Sequence, residues 1–308
     1  MSVLPSASLI LTYHRVAAGR DPLMQCVSPQ RFAEQVERLA TLADVVPLAD
    51  ITARGRGLRV AVTFDDGYAD NWHVAARILR GAGMPATFSV VARILDEPGE
   101  FWWDRLEHQL LDDDGSRTLP DRLVVELGGR SLSIDIRTRE GRDRALKALN
   151  RRLRVLPAAD IARSMSSVAA QVGPPPPNSC DAHRLLTREE VRNFTEGGLF
   201  EVASHGMTHT MMSAVGADQE NEEVRGAQQA LEQATGRPVR TFAYPYGTAT
   251  SLTRQTVRAL RKAGFSRALV NTRGLVGRFS DRFRLPRHMV YDWTADQLEH
   301  ELRRWVAA

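Results

Sequence analysis

The chain has 308 residues, 43% hydrophobic and 25% charged, enough to bury a full core, and barrel folds of this length commonly run as one domain. Cys26 and Cys180 are the only cysteines and lie far apart outside any C-x-x-C pair, which argues against a disulfide framework or a cysteine zinc site. The net charge of +4 is nearly all arginine, since Lys147 and Lys262 are the only lysines; arginine forks suit phosphate and carboxylate, but a codon-biased genome gives the same balance, and no nucleic-acid module accompanies it.

Read from a native start, residues 1–15 carry no positive n-region and only the apolar run Leu9 to Leu11, too short for a signal segment or a membrane span. The expectation is a cytoplasmic protein without an integral membrane segment. Leu9 to Tyr13 reads as a first strand, followed by a helix from Pro29 to Leu42 with Phe32, Val36, Leu39 and Ala40 on one face. Leu58 to Phe64 is a second strand, followed by a helix from about Asn71 to Arg80, and Ala86 to Val91 a third strand. From about Leu95 to Ala182 the rhythm breaks: Phe101, Trp102 and Trp103 cluster, Asp112 to Asp114 form an acidic run, and Pro174 to Pro177 form a stiff spacer. This segment is expected to be a mostly helical insertion at about 95–182 within a single domain spanning 1–308.

Beyond it, Thr187 and Glu190 have capping-box spacing and open a helix closed by Gly197 and Gly198. A strand at Leu199 to Ser204, a long helix at about Asp218 to Thr235, and a strand at Val239 to Ala243 follow. A helix near Leu252 to Ala263, a strand near Phe265 to Val270 and a helix from Ala295 to Trp305 complete the pattern. Strands alternating with helices predict an α/β fold built on parallel strands.

The polar residues most in need of explanation follow the ends of four of these strands: His14; Asp65 and Asp66; His205 and His209; and the turn Tyr244, Pro245, Tyr246, Gly247. Parallel barrels place their active sites at that face. Asp65 and Asp66 are adjacent carboxylates whose repulsion a cation would relieve, and His205 and His209 stand four apart, a spacing that lets both imidazoles reach one ion. Taken singly, either motif is more economically a turn or a pair of surface histidines. Gly206 after the first histidine departs from the zinc-protease pattern, a nucleobase deaminase would need a cysteine pair, and no G-x-S-x-G elbow occurs at a strand end.

The strings LTYHRV at Leu11 to Val16, TFDDG at Thr63 to Gly67, HGMTH at His205 to His209 and YPYG at Tyr244 to Gly247 together resemble the polysaccharide deacetylases with NodB homology, carbohydrate esterase family four. The resemblance covers nearly the whole chain apart from the insertion. It implies a distorted (β/α) barrel of about seven parallel strands, with Asp65 as general base and Asp66, His205 and His209 as metal ligands. It further implies His14 as general acid and the backbone N–H of Tyr246 as oxyanion donor. The implied cofactor is a divalent metal, with Zn2+ favoured by two imidazoles and a carboxylate and Co2+, Ni2+ or Mn2+ permitted.

Two departures from the family pattern stand out. Ala243 occupies the place of an arginine that orients the base, and Arg287 is expected to take over that ion pair; Gly206 replaces a serine or threonine, removing one hydrogen bond near the ligands. His288 is a rival acid, although a lone histidine is more often structural. Trp102 and Trp103 could stack on a sugar, although aromatic clusters are more often core. Tyr68 and Tyr244 would line the cleft, and Asp70 most simply caps the following helix.

The expected function is removal of an N-acetyl group from an amino sugar in a saccharide, nucleotide-linked or lipid-linked precursor, the last involving peripheral membrane contact. The alternatives are hydrolysis of a small non-sugar amide, imide or N-formyl group, or a non-catalytic carbohydrate-binding role on the same scaffold.

Overall fold

The apolar runs pair side by side as parallel strands: Ala7–Tyr13 (β1), Leu58–Phe64 (β2), Ala86–Val90 (β3), Phe200–Ser204 (β4), Thr241–Ala243 (β5) and Arg267–Val270 (β6). The structure is a computed structural model that describes residues 6–19, 22–97, 99–112, 118–127, 129–174 and 183–307. Sequence-adjacent strands are neighbours throughout, as expected when each strand is followed by a crossover that returns the chain to the same end.

The ring is completed by an extended segment that the periodicity did not reveal. Leu285–Pro286 (β7) pairs with β6, Leu269 opposite Leu285, while His288–Met289 (β8) pairs with β1, Leu11 opposite His288. These are consecutive halves of one stretch, joined at Arg287, so a single segment links both edges of the sheet. Among the described residues the ring therefore has eight parallel strands in seven staves, in agreement with the sequence, and Asp44–Val45 pairs off this path with β2.

Every residue of β2 is buried, as in parallel sheets covered on both faces. Outward-facing Tyr13, Phe64 and Phe88 stack in a row extended by Phe194, with ring centroids 5.3, 4.9 and 4.1 Å apart. Phe32, from the helix Pro29–Leu42, packs edge-on against Tyr13 and Phe64. Inside, Ile10, Ala61, Ala243, Leu269 and Leu285 come from five staves into one apolar cluster with Val46, Leu48, Ile51 and Val276. This plug fills the barrel and leaves its C-terminal rim for polar residues. The Thr187–Glu190 capping box is present, with both reciprocal bonds formed.

The chain divides into two compact units, Met1–Glu97 with Leu186–Ala308, and Pro98–Leu185. The second contains helices Trp102–Leu111, Arg139–Leu153 and Ala158–Val172, together with an antiparallel hairpin, Arg122–Leu127 with Arg130–Asp135. The unit is mostly helical, as expected, and also holds this hairpin, in which Leu123 and Val125 are buried between exposed neighbours, a period-two pattern. Cys180, Asp113, Asp114 and Pro175 to Pro177 lie outside the described residues. Among the described residues no helix is long and apolar enough to cross a membrane.

Candidate active site

The loops after β1, β2, β4 and β5 supply the polar residues singled out in the sequence, and β7–β8 adds Arg287. Asp65 and Asp66 are each 1% exposed, and His205 and His209 are buried beside them. The turn is tight: Gly67 has φ +99°, and a Cβ there would meet Ile94 Cδ1 at 2.9 Å. Adjacent loops are joined by backbone bonds, Val91 N–H to Asp66 O at 3.2 Å and Ala92 N–H to Gly206 O at 3.0 Å.

Asp66 Oδ1 lies 3.4 Å from His205 Nε2 and 3.3 Å from His209 Nε2, and it is buried without a hydrogen bond among the described residues. His205 Nδ1–H donates to Ala243 O at 2.8 Å, because a carbonyl can only accept, which leaves Nε2 as the ring nitrogen facing Asp66. The ligand atoms of Asp66, His205 and His209 all lie within 4.8 Å of one another. Two imidazoles and a carboxylate in this arrangement fit a divalent transition metal with positions left open.

Asp65, whose Oδ2 is 4.0 Å from His205 Nε2, is held by an arginine. Arg287 donates from Nη1 to Asp65 Oδ1 at 2.8 Å and from Nη2 to Oδ2 at 2.6 Å, and both side chains are fully buried. Burial would raise the Asp65 pKa, but the Arg287 charge and then the His205 charge outweigh it and hold it at about 2. Asn271, just past β6, accepts from Arg287 Nη2 at 2.7 Å and donates from Nδ2 to Tyr246 O at 3.3 Å, linking the ion pair to the Tyr246 turn. The side-chain position vacated at Ala243 is part of the apolar plug, so the guanidinium comes from the closing segment instead.

Of the four non-glycine residues with positive φ among the described residues, three belong to this site: Asp66 (76°), His209 (59°) and Tyr246 (63°). Such conformations cost about 1–3 kcal/mol each and persist where surrounding structure fixes them. Glu223 supplies part of that fixation. Its Oε2 accepts from Met207 N–H at 2.8 Å and Thr208 N–H at 3.0 Å, and its Oε1 accepts from the Thr208 hydroxyl.

Gly206 makes room for this carboxylate, since a Cβ there would lie 2.8 Å from Glu223 Oε2 and φ is +80°. The hydrogen bond expected to be missing with Gly206 is thus replaced by a buried carboxylate under the ligand loop. A Gly206→Ala variant should lose about 1–3 kcal/mol of stability and bind metal less well, measured by thermal unfolding and metal content.

Other expectations fare differently. Asp70 makes no helix-capping bond; it accepts from Arg15 Nε at 3.1 Å and Val16 N–H at 3.0 Å, tying the His14 loop to the loop after β2. His288 points away from the barrel interior because adjacent strand residues face opposite sides and Arg287 faces in. Its Nε2 bonds Gly274 O at 3.0 Å and its ring lies 4.2 Å from that of Trp305. His14 is 7% exposed, and its Nδ1 has no hydrogen-bond partner among the described residues.

Tyr68 and Tyr244 are fully buried, Tyr68 beneath the Arg15 guanidinium at 4.8 Å and Tyr244 donating its hydroxyl to Phe283 O at 3.0 Å. Their side chains pack the loops instead of lining an open cleft. Trp103, in the second unit, is buried and stacked on Phe101 at 4.3 Å, while Trp102 keeps part of its ring exposed. The sequence reading had not singled out Asn271 or Glu223.

A sequence model of the family described as polysaccharide deacetylase matches residues 53–267, spanning β2 to the start of β6. The chain belongs to the polysaccharide deacetylase family. A search among curated protein sequences returned no significant match. Among solved structures, the chain is similar to the Streptococcus pyogenes deacetylase PplD in complex with acetate, at 12% identity and TM-score 0.60 over 96% of this chain and 98% of that one. It is similar to IcaB from Ammonifex degensii at 19% identity and TM-score 0.59, covering 100% of both chains. A de-N-acetylase from Aggregatibacter actinomycetemcomitans matches at 16% identity and TM-score 0.58, over 95% of this chain and 98% of that one. At these identities the likeness is one of fold, and it supports the polysaccharide deacetylase barrel.

Proposed function

We propose that the protein hydrolyses the N-acetyl group of an amino sugar carried on a saccharide, nucleotide-linked or lipid-linked precursor, releasing acetate and a free amine. The observation that carries this reading is the arginine-clamped Asp65 immediately beside the convergent set Asp66, His205 and His209. Asp66, His205 and His209 are the proposed metal ligands, with zinc first in order of preference. Bound there, the metal supplies Lewis acidity to the amide carbonyl and lowers the pKa of water.

The chain's own groups perform the proton movements. Asp65, kept ionised by Arg287, accepts a proton from the attacking water as its oxygen bonds to the carbonyl carbon. The Tyr246 backbone N–H donates to the oxyanion that forms; one such donor is typically worth ~10²- to 10³-fold in rate. When the C–N bond breaks, the nitrogen must gain a proton to leave as an amine, and His14 gives it. The place of His14 directly after β1, at the rim that carries Asp65 and Asp66, supports that role over His288, which faces away from the barrel interior with its Nε2 bonded to Gly274 and its ring against Trp305. Trp102, which is only partly buried, is kept as a proposed sugar contact, to be tested by the effect of Trp102→Ala on KM, whereas Trp103 is buried against Phe101 and is not.

The decisive assay is acetate release from a panel of N-acetylated oligosaccharides and nucleotide-linked amino sugars, using chelator-stripped and zinc-restored protein. Stripping should abolish release and zinc should restore it. Silence across the panel with metal demonstrably bound would overturn the amino-sugar assignment in favour of a small amide or a binding role.

A further inference from the structure

The inserted unit contains a second convergent set of ligand-type atoms that the barrel chemistry does not use. Glu100, His108 and His183 each present one such atom, and the three atoms lie within 4.8 Å of one another. His108 Nε2 is 3.1 Å from Glu100 Oε1 and 2.8 Å from His183 Nδ1. Both imidazoles are buried, at 3% and 7% exposure, with ring centroids 4.6 Å apart. We propose that Glu100, His108 and His183 form a second divalent-metal site, of zinc type, that fastens the two ends of the inserted unit together.

The surroundings of the two rings carry the argument. On its far side His108 Nδ1 is 2.6 Å from Asp112 Oδ2, and His183 Nε2 is 3.9 Å from Asp104 Oδ1. Each imidazole thus turns one nitrogen to the common point and the other toward a carboxylate. That is the arrangement that fixes the tautomer and strengthens a histidine as a metal ligand. A hydrogen-bond network alone explains the cluster less well, because His108 Nε2 faces both a carboxylate oxygen and an imidazole nitrogen and can carry only one proton.

Local sequence produces the arrangement simply. Asp104 and His108 lie four apart on the helix Trp102–Leu111 and Asp112 caps its end, so all three share one face. Glu100 lies at the entry to the unit and His183 at its exit, within the segment Pro98–Leu185. A cation joining them closes a long excursion of chain, the situation in which a metal clip removes the most freedom from the unfolded state. Two imidazoles and one carboxylate are a zinc-type donor set.

The test counts zinc bound to tag-free, full-length protein after chelator stripping and dialysis. Two zinc ions per chain are expected in the wild type and one in His108→Gln. The barrel variant Asp66→Asn/His209→Gln should retain one, and adding His108→Gln to it should leave none. In the barrel-variant background zinc should also raise the unfolding temperature. Asp112→Asn, which leaves all three ligands in place, should weaken that remaining site by about 10- to 100-fold. A barrel variant that binds no zinc, a His108→Gln protein that still binds two, or an Asp112→Asn protein of unchanged affinity would each overturn the proposal. The barrel variant needs no catalysis, so failure of the deacetylase reading leaves this test intact.

Discussion

Replacing Arg287 with alanine is expected to cost about 3–5 kcal/mol of stability, because it strands the Asp65 carboxylate in a buried site without its partner. Both side chains of the pair are fully buried, so water cannot compensate for the loss as it does at a surface salt bridge. The pH dependence follows from the sign of the shift. In the wild type the Asp65 pKa is depressed from 3.8 to about 2, so the pair's contribution is present above the ordinary value and lost as pH falls through the folded one. Without Arg287, burial, already the largest single influence, loses its main counterweight and the Asp65 pKa rises. The acid limb of the kcat/KM profile should move to higher pH, and the variant's deficit in stability should shrink on acidification. Denaturant unfolding at neutral and mildly acid pH, with a pH–rate profile, measures both. Wild-type stability and an unmoved acid limb would show that the pairing does not govern Asp65.

Asp65→Asn should reduce turnover by ~10²- to 10⁴-fold, the range for loss of a positioned general base, while the protein still binds its metal. Asparagine keeps the shape and can still accept from Arg287 through its carbonyl oxygen, but it cannot take a proton from water. The neighbouring Asp66→Asn change should instead lower metal content and activity together, because Asp66 Oδ1 sits between the two histidine Nε2 atoms. Metal content and acetate release measured on the same preparations separate the two carboxylates. Loss of metal from Asp65→Asn with retention in Asp66→Asn would reverse the assignment of base and ligand.

How much of this was legible in the sequence depended on where each residue lies. Asp65, Asp66, His205 and His209 sit in short strings directly after apolar runs, so strand pattern and motif placed them together. Arg287 was legible only as a replacement for the arginine missing at Ala243, because a two-residue strand such as Leu285–Pro286 is too short to show a period. Glu223 was hidden for a different reason. It lies in a π-helical turn, Glu222–Gly226, inside a longer helical run, and the extra residue in such a turn shifts which side chains face inward. Its contact with the ligand loop therefore cannot be read from a period of 3.6. A second π turn, Asn71–Ala75, follows the Asp65–Asp66 loop, and its Asn71 side chain donates to His14 O at 2.8 Å. The hairpin at Arg122–Asp135 was legible and overlooked: alternating Leu123 and Val125 precede Gly129, whose φ of +79° suits a tight turn.

The segment Leu285–Met289 is the last barrel stave to be synthesised, and it carries the guanidinium that keeps Asp65 ionised. During translation every other stave can assemble while the carboxylate still lacks its counter-charge. A growing chain in which β1 to β6 have docked holds a buried acid that must either remain hydrated or take up a proton. Neutralisation of Asp65 and closure of the barrel are consequently one event, because the residue that supplies the counter-charge is also the one that joins the two edges of the sheet.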